Sequence, residues 1–464
     1  MRKHHLQRRI LALVLAAMTA FFCIACAAEP TSGEVEVVAK KEKTPTETPA
    51  KPTDGTQKPT DGVAEPTGES AKPTTAPAQG TTELTGSSGT AAETKPMDET
   101  MRAAYATFAY RLFAACAKSS GGEAKNCLLS PFSVYTALAM LANGANGNTA
   151  AQIDQVLGLD EASRNAYMAA WIASLTGQED ISFTCADSVW VSNLFRNVVL
   201  DSFLGRCADS YHAEVYAADM NDGTVDDINA WTDRNTKSMI QKILEHGDLT
   251  PETVTVLLNA ITLEAKWMIP FDNENTLSDA VFTHEDGTTE NVEMLRGEAD
   301  RCYLENEFVT GCAKSYKGGE FRYVALLPKE GVSVDEVIAK LTAESVDALF
   351  ANAIRENVSL QIPKYTVEYR QELQDVLAAL GMGDAFTPVA DLTRMISTGN
   401  TVVDRVIHKT YLALDNEGTR AAAVTAIMTR NMSISKTYRV TLDRPFVYMI
   451  TDGITLPIFI GTYR

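Results

Sequence analysis

The segment 417–433 constrains the fold most, because its side chains suit almost any local structure. It contains no aromatic residue and no proline, and most of its side chains are small. As a strand it would alternate between two faces. Thr419 and the small uncharged residues that follow at every second position form one face, and Arg420 and Arg430 both lie on the other. Such a segment could enter the middle of a sheet with its arginines in solvent. The alternative is an alanine-rich helix after a glycine turn, since alanine is the best helix former.

The N-terminus predicts export from the cytoplasm. Residues 1–26 begin with basic side chains and continue as an apolar run that is too short to span a membrane comfortably, which is typical of a secretory signal. Two cleavage sites compete. Ile24-Ala25-Cys26 resembles the end of a bacterial lipobox, in which Cys26 becomes the lipidated N-terminus, although Cys23 stands where leucine is usual. Ala25-Cys26-Ala27 also satisfies the rule for ordinary signal cleavage.

The next segment, 27–97, predicts a disordered tether. It is rich in threonine, proline, glutamate and lysine, lacks aromatic residues, and repeats Lys-Pro-Thr three times. Such a composition buries too little apolar surface to offset the entropy of ordering. A tether of this kind suits a domain held at the cell surface on a lipid attached to the bacterial membrane, which favours the lipobox. A spacer or glycosylated stalk on a freely secreted protein is the alternative.

The charge and the chemistry of the remaining chain exclude several classes of function. The net charge is −19, and residues 98–464 carry essentially all of it, which makes nucleic acid an unsuitable partner. The six histidines are scattered, so we expect neither a metal site nor a cofactor. Most of the six cysteines beyond the signal should be buried thiols, and Cys302 and Cys312 are the closest pair for one disulfide.

The folded part begins with clear local signals. Apolar residues at helical spacing behind an acidic cap predict a first helix over 98–118. A short strand then leads to Ser130, which we expect to cap a helix that has Pro131 in its first turn and stops at Asn143-Gly144. No Gly-x-Ser-x-Gly motif or Ser/His/Asp order of a hydrolase is present, so catalysis by this chain is not expected.

Several motifs, in order, resemble those of the serpins, the serine-protease-inhibitor superfamily. His408-Lys409 precedes a strand, Glu417-Gly-Thr opens the alanine-rich segment, and Asp443-Arg-Pro-Phe follows it. Further upstream, Ser130-Pro-Phe-Ser and the stretch from Leu257 to Phe271, with its asparagine and its Lys-x-Trp, resemble serpin motifs too. The resemblance extends over most of 98–464. Each motif is weak alone, and their order and spacing are specific.

The resemblance implies an α+β fold with a large mixed β-sheet, two smaller sheets, about nine helices and an exposed reactive-centre loop at about 417–440. It also implies a metastable, monomeric inhibitor. A target protease attacks the loop, and the cut loop inserts into the main sheet before the acyl-enzyme is hydrolysed. The residues that match the hinge of the loop are Glu417, Gly418, Thr419, Arg420, Ala421, Ala422 and Ala423. Among the residues that match the sheet-opening region, Ser130, Ser133, Asn259 and His408 match the cluster under the opening, and Trp267 matches the tryptophan at the top, where insertion begins.

The family count places the bait bond fourteen residues beyond the hinge glycine, at Met432-Ser433. An unbranched apolar residue there implies elastase-, chymotrypsin- or subtilisin-like targets, with papain-like cysteine proteases next. Arg430 is the competing site and would direct the inhibitor to trypsin-like enzymes. Arg420 and Asn416 depart from the acidic residues common in the family. The alternative function is a noninhibitory carrier or surface-binding protein on the same scaffold.

Overall fold

The computed structural model describes residues 80–85, 93–119, 126–176, 181–398, 401–419, 436–453 and 455–464. All of them lie in one compact unit, 74–464. None of the helices in these ranges is long and apolar enough to cross a membrane. The described α-helices are α1 (Glu99–Ser119), α2 (Pro131–Gly144), α3 (Gly147–Leu157), α4 (Glu161–Leu175), α5 (Asp201–Tyr211), α6 (Asp222–Asn235), α7 (Val334–Lys340), α8 (Ala343–Ala351) and α9 (Gln374–Leu377).

The strands form three sheets, as expected. They are β1 (Thr82–Glu83), β2 (Cys127–Leu129), β3 (Ile181–Ser192), β4 (Glu214–Ala218), β5 (Thr255–Lys266), β6 (Leu277–Thr283), β7 (Thr289–Glu298), β8 (Tyr303–Glu305), β9 (Val309–Ser315), β10 (Phe321–Pro328), β11 (Asn357–Pro363), β12 (Tyr365–Glu372), β13 (Arg405–Leu414), β14 (Gly418–Thr419), β15 (Thr437–Thr441), β16 (Phe446–Asp452) and β17 (Leu456–Tyr463). Sheet A has the order β1-β4-β3-β5-β14-β13-β12, sheet B the order β2-β17-β16-β10-β9-β8, and sheet C the order β15-β11-β7-β6. The α+β prediction of one large mixed sheet and two smaller ones is confirmed.

Local signals explain how the first helices begin. The backbone N–H of Met101 donates to Asp98 Oδ1 at 3.0 Å, so the acidic cap of α1 is in place. The backbone N–H of Ser133 donates to Ser130 Oγ at 3.3 Å, and Pro131 occupies the first turn of α2. Every residue of α2 is buried, so this helix forms the centre of the main core.

Sheet A is buried on both faces around its centre. Odd-numbered residues of β5, such as Leu257 and Ile261, belong to the main core with α2. Even-numbered residues such as Leu258 belong to a second cluster, which includes Trp231 and Ile228 of α6. The alternation of a strand therefore sends one set of side chains towards α2 and the other towards α6.

The predicted tether 27–97 is wrong at its C-terminal end, because β1 lies inside it. Thr82 pairs with Ala217, and the backbone N–H of Leu84 donates to Val215 O at 2.7 Å. The Thr81 hydroxyl donates to a carboxylate of α6 at 2.6 Å. Backbone pairing along the open edge of sheet A orders this segment without a long apolar pattern, so composition could not reveal it.

The cysteines of the described residues are free thiols. Five are buried and one, Cys185, is half-buried. Cys302 and Cys312, the pair nearest in sequence, are not bonded to each other, so the disulfide considered for them does not form here. Burial raises the pKa of both thiols, which keeps them protonated and unreactive near neutral pH.

Candidate functional site

The start of the alanine-rich segment is already part of sheet A. Gly418 and Thr419 form β14, which lies between β5 and β13 and runs antiparallel to both. Gly418 has to be glycine at this point, because a Cβ there would lie 2.1 Å from the carbonyl oxygen of Ala265. The hinge thus enters the sheet at the end where β5 finishes, and only a residue without a side chain fits against β5.

Thr419 points into the core. It is 1% exposed, and its Oγ1 lies 2.6 Å from the hydroxyl of Tyr316, so the two form a hydrogen bond. The Tyr316 ring stacks on Trp267 with 4.4 Å between the ring centroids. This orientation is the one that strand alternation gives for Thr419. The next residue, Arg420, lies outside the described range.

Trp267 holds the turn that leads into the hinge. Its backbone N–H donates to Glu417 O at 2.8 Å, and its indole Nε1–H donates to Asp415 O at 3.0 Å. A side-chain oxygen of Asp415 accepts the backbone N–H of Glu417 at 2.8 Å. Asn416 is buried, and its side chain donates to Thr276 at 3.0 Å, which gives this departure from the family pattern a structural role.

The structure brings together the four residues predicted under the opening and places Trp267 at the hinge. Ser130, Ser133, Asn259 and His408 are buried where α2 begins beneath β5 and β13. Trp267 stands eight residues beyond Asn259 on the same chain, about 26 Å away at the rise of a strand. It belongs with the hinge rather than with the polar cluster.

His408 has a defined tautomer in this cluster. The backbone N–H of Ser130 donates to His408 Nε2 at 3.0 Å, so Nε2 is the unprotonated nitrogen and Nδ1 carries the hydrogen of the neutral ring. Burial lowers the pKa of His408 to about 3, so the ring is neutral at physiological pH. The Ser130 hydroxyl donates to Ile458 O at 2.7 Å, which ties the cluster to β17.

Three polar atoms of the cluster make no hydrogen bond within the described ranges. They are the hydroxyl of Ser133, Oδ1 of Asn259 and Nδ1 of His408. A buried polar group without a partner costs about 1–3 kcal/mol. The closed sheet therefore carries unsatisfied polar groups directly beneath the two strands that would have to separate.

Those two strands pair directly with each other below the hinge. β13 runs parallel to β5 from Arg405 opposite Val256 to Thr410 opposite Ile261, and His408 lies opposite Asn259. Parallel pairing is slightly less stable per residue than antiparallel pairing. Sheet A is thus open at one end, where β14 separates the strands, and closed by its weakest kind of pairing at the other.

Three further residues of the site were not found from the sequence. Tyr316 binds the hinge, Asp187 accepts a hydrogen bond from Asn259, and Lys314 lies 4.5 Å from the ring centroid of Phe271 beside Trp267. Burial lowers the pKa of Lys314 to about 8. Of the three, only Asp187 could have been found from the sequence, because strand alternation would have placed its carboxyl group on the core side of β3.

The remaining predicted site residues lie outside the described ranges. They are the rest of the hinge, the two candidate bait positions and the lipid attachment site: Arg420, Ala421, Ala422, Ala423, Arg430, Met432, Ser433 and Cys26.

Comparison with known proteins agrees with this architecture. The family model described as Serpin (serine protease inhibitor) matches residues 103–464. Ipis-1 of Ixodes persulcatus is 31% identical over 360 residues, which cover 75% of this chain and 94% of that protein. The native-state structure of the thermophilic serpin tengpin is 34% identical and has a TM-score of 0.73, covering 80% of this chain and 96% of that one. The latent-state structure of tengpin has the same identity and a lower TM-score of 0.68, covering 80% and 98%.

The family match covers more than half of the chain, and the hinge strand, the buried polar cluster and every described strand except β1 lie within the matched residues. The chain belongs to the serpin family.

Proposed function

We propose that this serpin inhibits serine proteases as a suicide substrate, by inserting its cleaved loop into sheet A. The observation that carries the proposal is β14, which already occupies the position of an inserted strand between β5 and β13. Its two residues are antiparallel to both neighbours, so further insertion only has to extend an existing strand. Loop insertion would replace one parallel contact between β5 and β13 by two antiparallel contacts, which favours the inserted state.

The register of β14 supports continued insertion. Thr419 lies opposite Ala265 on β5 and opposite Leu414 on β13. Extending both antiparallel registers by six residues places Thr425 beside Asn259 and beside His408, and those two residues already lie opposite each other. Both pairings of β14 thus lead to the same residue, as expected for a strand that continues in line between β5 and β13. Alanines would precede Thr425 on the core-facing side, where space is limited.

The chemistry that this mechanism requires comes from the target enzyme. The protease serine, or the cysteine of a papain-like enzyme, attacks the bait carbonyl and forms an acyl-enzyme with release of the new N-terminus. Insertion of the attached loop then moves the protease and distorts its active site before water completes hydrolysis. This chain supplies the bait, the inserting strand and the sheet that accepts it.

The bait bond proposed here is Met432-Ser433, with Arg430 as the competing residue. Met432 suits the apolar primary pocket of elastase-, chymotrypsin- or subtilisin-like proteases, whereas Arg430 suits trypsin-like proteases. Mass spectrometry of the C-terminal fragment released on complex formation distinguishes them. We expect a fragment that begins at Ser433, and a fragment that begins at Asn431 contradicts the assignment.

Incubation with a panel of serine and papain-like proteases tests the function. An inhibitor gives an SDS-resistant covalent complex, while a carrier protein on the same scaffold is only cleaved. The variant Thr419→Arg places a charge on the core-facing side of β14, at a cost of several kcal/mol. We expect it to be cleaved without trapping the protease. Thr437→Arg is the matched control, since Thr437 is exposed on β15, and it should still form the complex.

We also propose that the protein is anchored outside the cytoplasm through lipid on Cys26. The support is the order of a signal, a cysteine and a Pro/Thr-rich segment in the sequence. Metabolic labelling with a radioactive fatty acid tests it. Wild type should be labelled and sediment with membranes, whereas Cys26→Ala should be unlabelled. Release of unlabelled wild-type protein into the medium would favour ordinary secretion.

A further inference from the structure

A buried carboxyl group lies in the same row as Asn259 and His408. Asp187 on β3 is directly opposite Asn259 on β5, which is directly opposite His408 on β13. Opposite residues share a face of the sheet, so all three side chains point towards α2. Asp187 is 2% exposed, and no step of the mechanism described so far uses it.

Asp187 determines how the amide of Asn259 is oriented. Nδ2 of Asn259 donates to Oδ1 of Asp187 at 2.5 Å. An ionised carboxylate can only accept hydrogen bonds, so the amide nitrogen faces it and the amide oxygen turns away. The thiol of Cys185 lies 3.4 Å from the other carboxylate oxygen and can donate to it. The free Oδ1 of Asn259 is therefore a consequence of the charge on Asp187.

The other side of the row presents the complementary group. His408 accepts at Nε2 from Ser130, so its free nitrogen, Nδ1, is a donor. When the strands separate, the row offers one acceptor from Asn259 and one donor from His408. A hydroxyl group can donate to Oδ1 of Asn259 and accept from Nδ1 of His408, and every donor and acceptor along the row then has a partner.

We propose that Asp187 is a positioning residue for strand insertion, whose carboxylate orients Asn259 so that the opened sheet selects a hydroxyl-bearing residue at this level. The proposal rests on the proposed function, because it requires a strand that enters between β5 and β13. To the proposed function it adds two points: the hydrogen-bonding groups by which the sheet recognises the inserting strand, and the residue, Asp187, that controls their orientation.

The surroundings of Asp187 allow its protonation state to control the rate of strand insertion. The titratable groups that face it are the thiols of Cys185 on its own strand and Cys207 of α5, with His408 beyond Asn259. All three are neutral near pH 7, so no cation within the described ranges stabilises the carboxylate, and burial raises the pKa of Asp187 to about 7. The buried polar side chains in the first turns of α2, Ser133 and Thr136, carry hydroxyl groups.

Protonation of Asp187 would reverse the orientation of the side-chain amide of Asn259. A protonated carboxyl group donates, so Asn259 would turn its oxygen towards Asp187 and its N–H groups towards the opening. Both sides of the opening would then present donors, and an incoming hydroxyl would have no acceptor for its own hydrogen. Insertion should therefore be faster with Asp187 ionised. A group with a pKa near 7 is about one-tenth ionised at pH 6 and nine-tenths ionised at pH 8, so the insertion rate should rise roughly tenfold between these pH values.

The test measures insertion directly in the full chain. A protease that cuts within 420–435 without being trapped is added in excess, and insertion is followed by tryptophan fluorescence from pH 6 to pH 8. Wild type should show the tenfold rise. Asp187→Asn can accept the same hydrogen bond without titrating, so its rate should be independent of pH and close to the wild-type rate at pH 8. If that variant does not fold, Asp187→Ser, which also lacks a titrating group, takes its place and should give a pH-independent rate.

Asp452→Asn is the matched control. Asp452 is a half-buried carboxyl group, which accepts from Trp171 Nε1 at 2.6 Å at the end of β16 in sheet B. This variant should keep the wild-type pH profile. The same profile in wild type and Asp187→Asn would overturn the proposal. Failure of every cleaved protein to gain thermal stability would instead overturn the proposed function, since no strand would have been inserted.

Discussion

Asp187 and His408 should affect the stability of the native protein with opposite dependence on pH. Burial raises the pKa of Asp187 from 3.8 to about 7 and lowers the pKa of His408 from 6.5 to about 3. Between pH 4 and 7, native Asp187 holds a proton that the unfolded chain has lost, so its contribution to stability falls as pH rises. Between pH 6.5 and 3, His408 binds a proton in the unfolded chain but not in the native protein, so the contribution of His408 to stability falls as pH falls.

The two effects nearly cancel in wild type and separate in single variants. Each changes the free energy of unfolding by ~1.4 kcal/mol per pH unit. From pH 6.5 to pH 4.5, Asp187→Asn should therefore lose roughly 3 kcal/mol relative to wild type. His408→Gln should gain a similar amount relative to wild type over the same interval.

Urea unfolding followed by tryptophan fluorescence at pH 4.5, 5.5 and 6.5 measures these differences, and subtraction of the wild-type curve removes the contribution of other carboxylates. The double variant Asp187→Asn/His408→Gln is the control and should differ from wild type by an amount that does not depend on pH. If Asp187→Asn also differs from wild type by a constant amount, Asp187 does not titrate in this window and the reasoning is wrong.

Two substitutions and a pair of truncations test the hinge and the edge of sheet A. Gly418→Ala places a methyl group against the backbone of β5, so β14 should be expelled and the yield of protease complex should fall at least several-fold on gels. Tyr316→Phe removes the hydrogen bond to Thr419 and should lower the free energy of unfolding by about 1 kcal/mol, measured by urea unfolding. A chain that starts at Gly80 should melt like the full chain. A chain that starts at Glu93 lacks β1 and should melt several degrees lower; equal melting temperatures would show that β1 adds nothing.

Much of the fold could be predicted because its signals are local. The helix predicted over 98–118 is α1, Glu99–Ser119, and Ser130 caps α2 as expected. Caps, proline in a first turn and helical spacing each depend on residues within a few positions of one another. The order of short motifs then supplied the topology, which no single motif could have specified.

What could not be predicted depends on contacts between distant parts of the chain. β1 is ordered by backbone pairing with β4, about 130 residues later, and pairing of this kind leaves no side-chain pattern. Tyr316 meets Thr419 across a separation of 103 residues. Asp187 is significant only because β5 places Asn259 opposite it, 72 residues later in the chain.

The weak points of sheet A coincide with the path that an inserting strand would take. The parallel pairing between β5 and β13 covers the same levels as the unpaired atoms of Asn259 and His408. Two unsatisfied buried groups cost about 2–6 kcal/mol together, which is a large share of the 5–15 kcal/mol that stabilises an ordinary domain. A strand that supplies a hydroxyl group at this level would remove that cost and replace the parallel pairing at once. If the loop inserts as proposed, part of the free energy that favours the inserted state would therefore come from these few groups between β5 and β13.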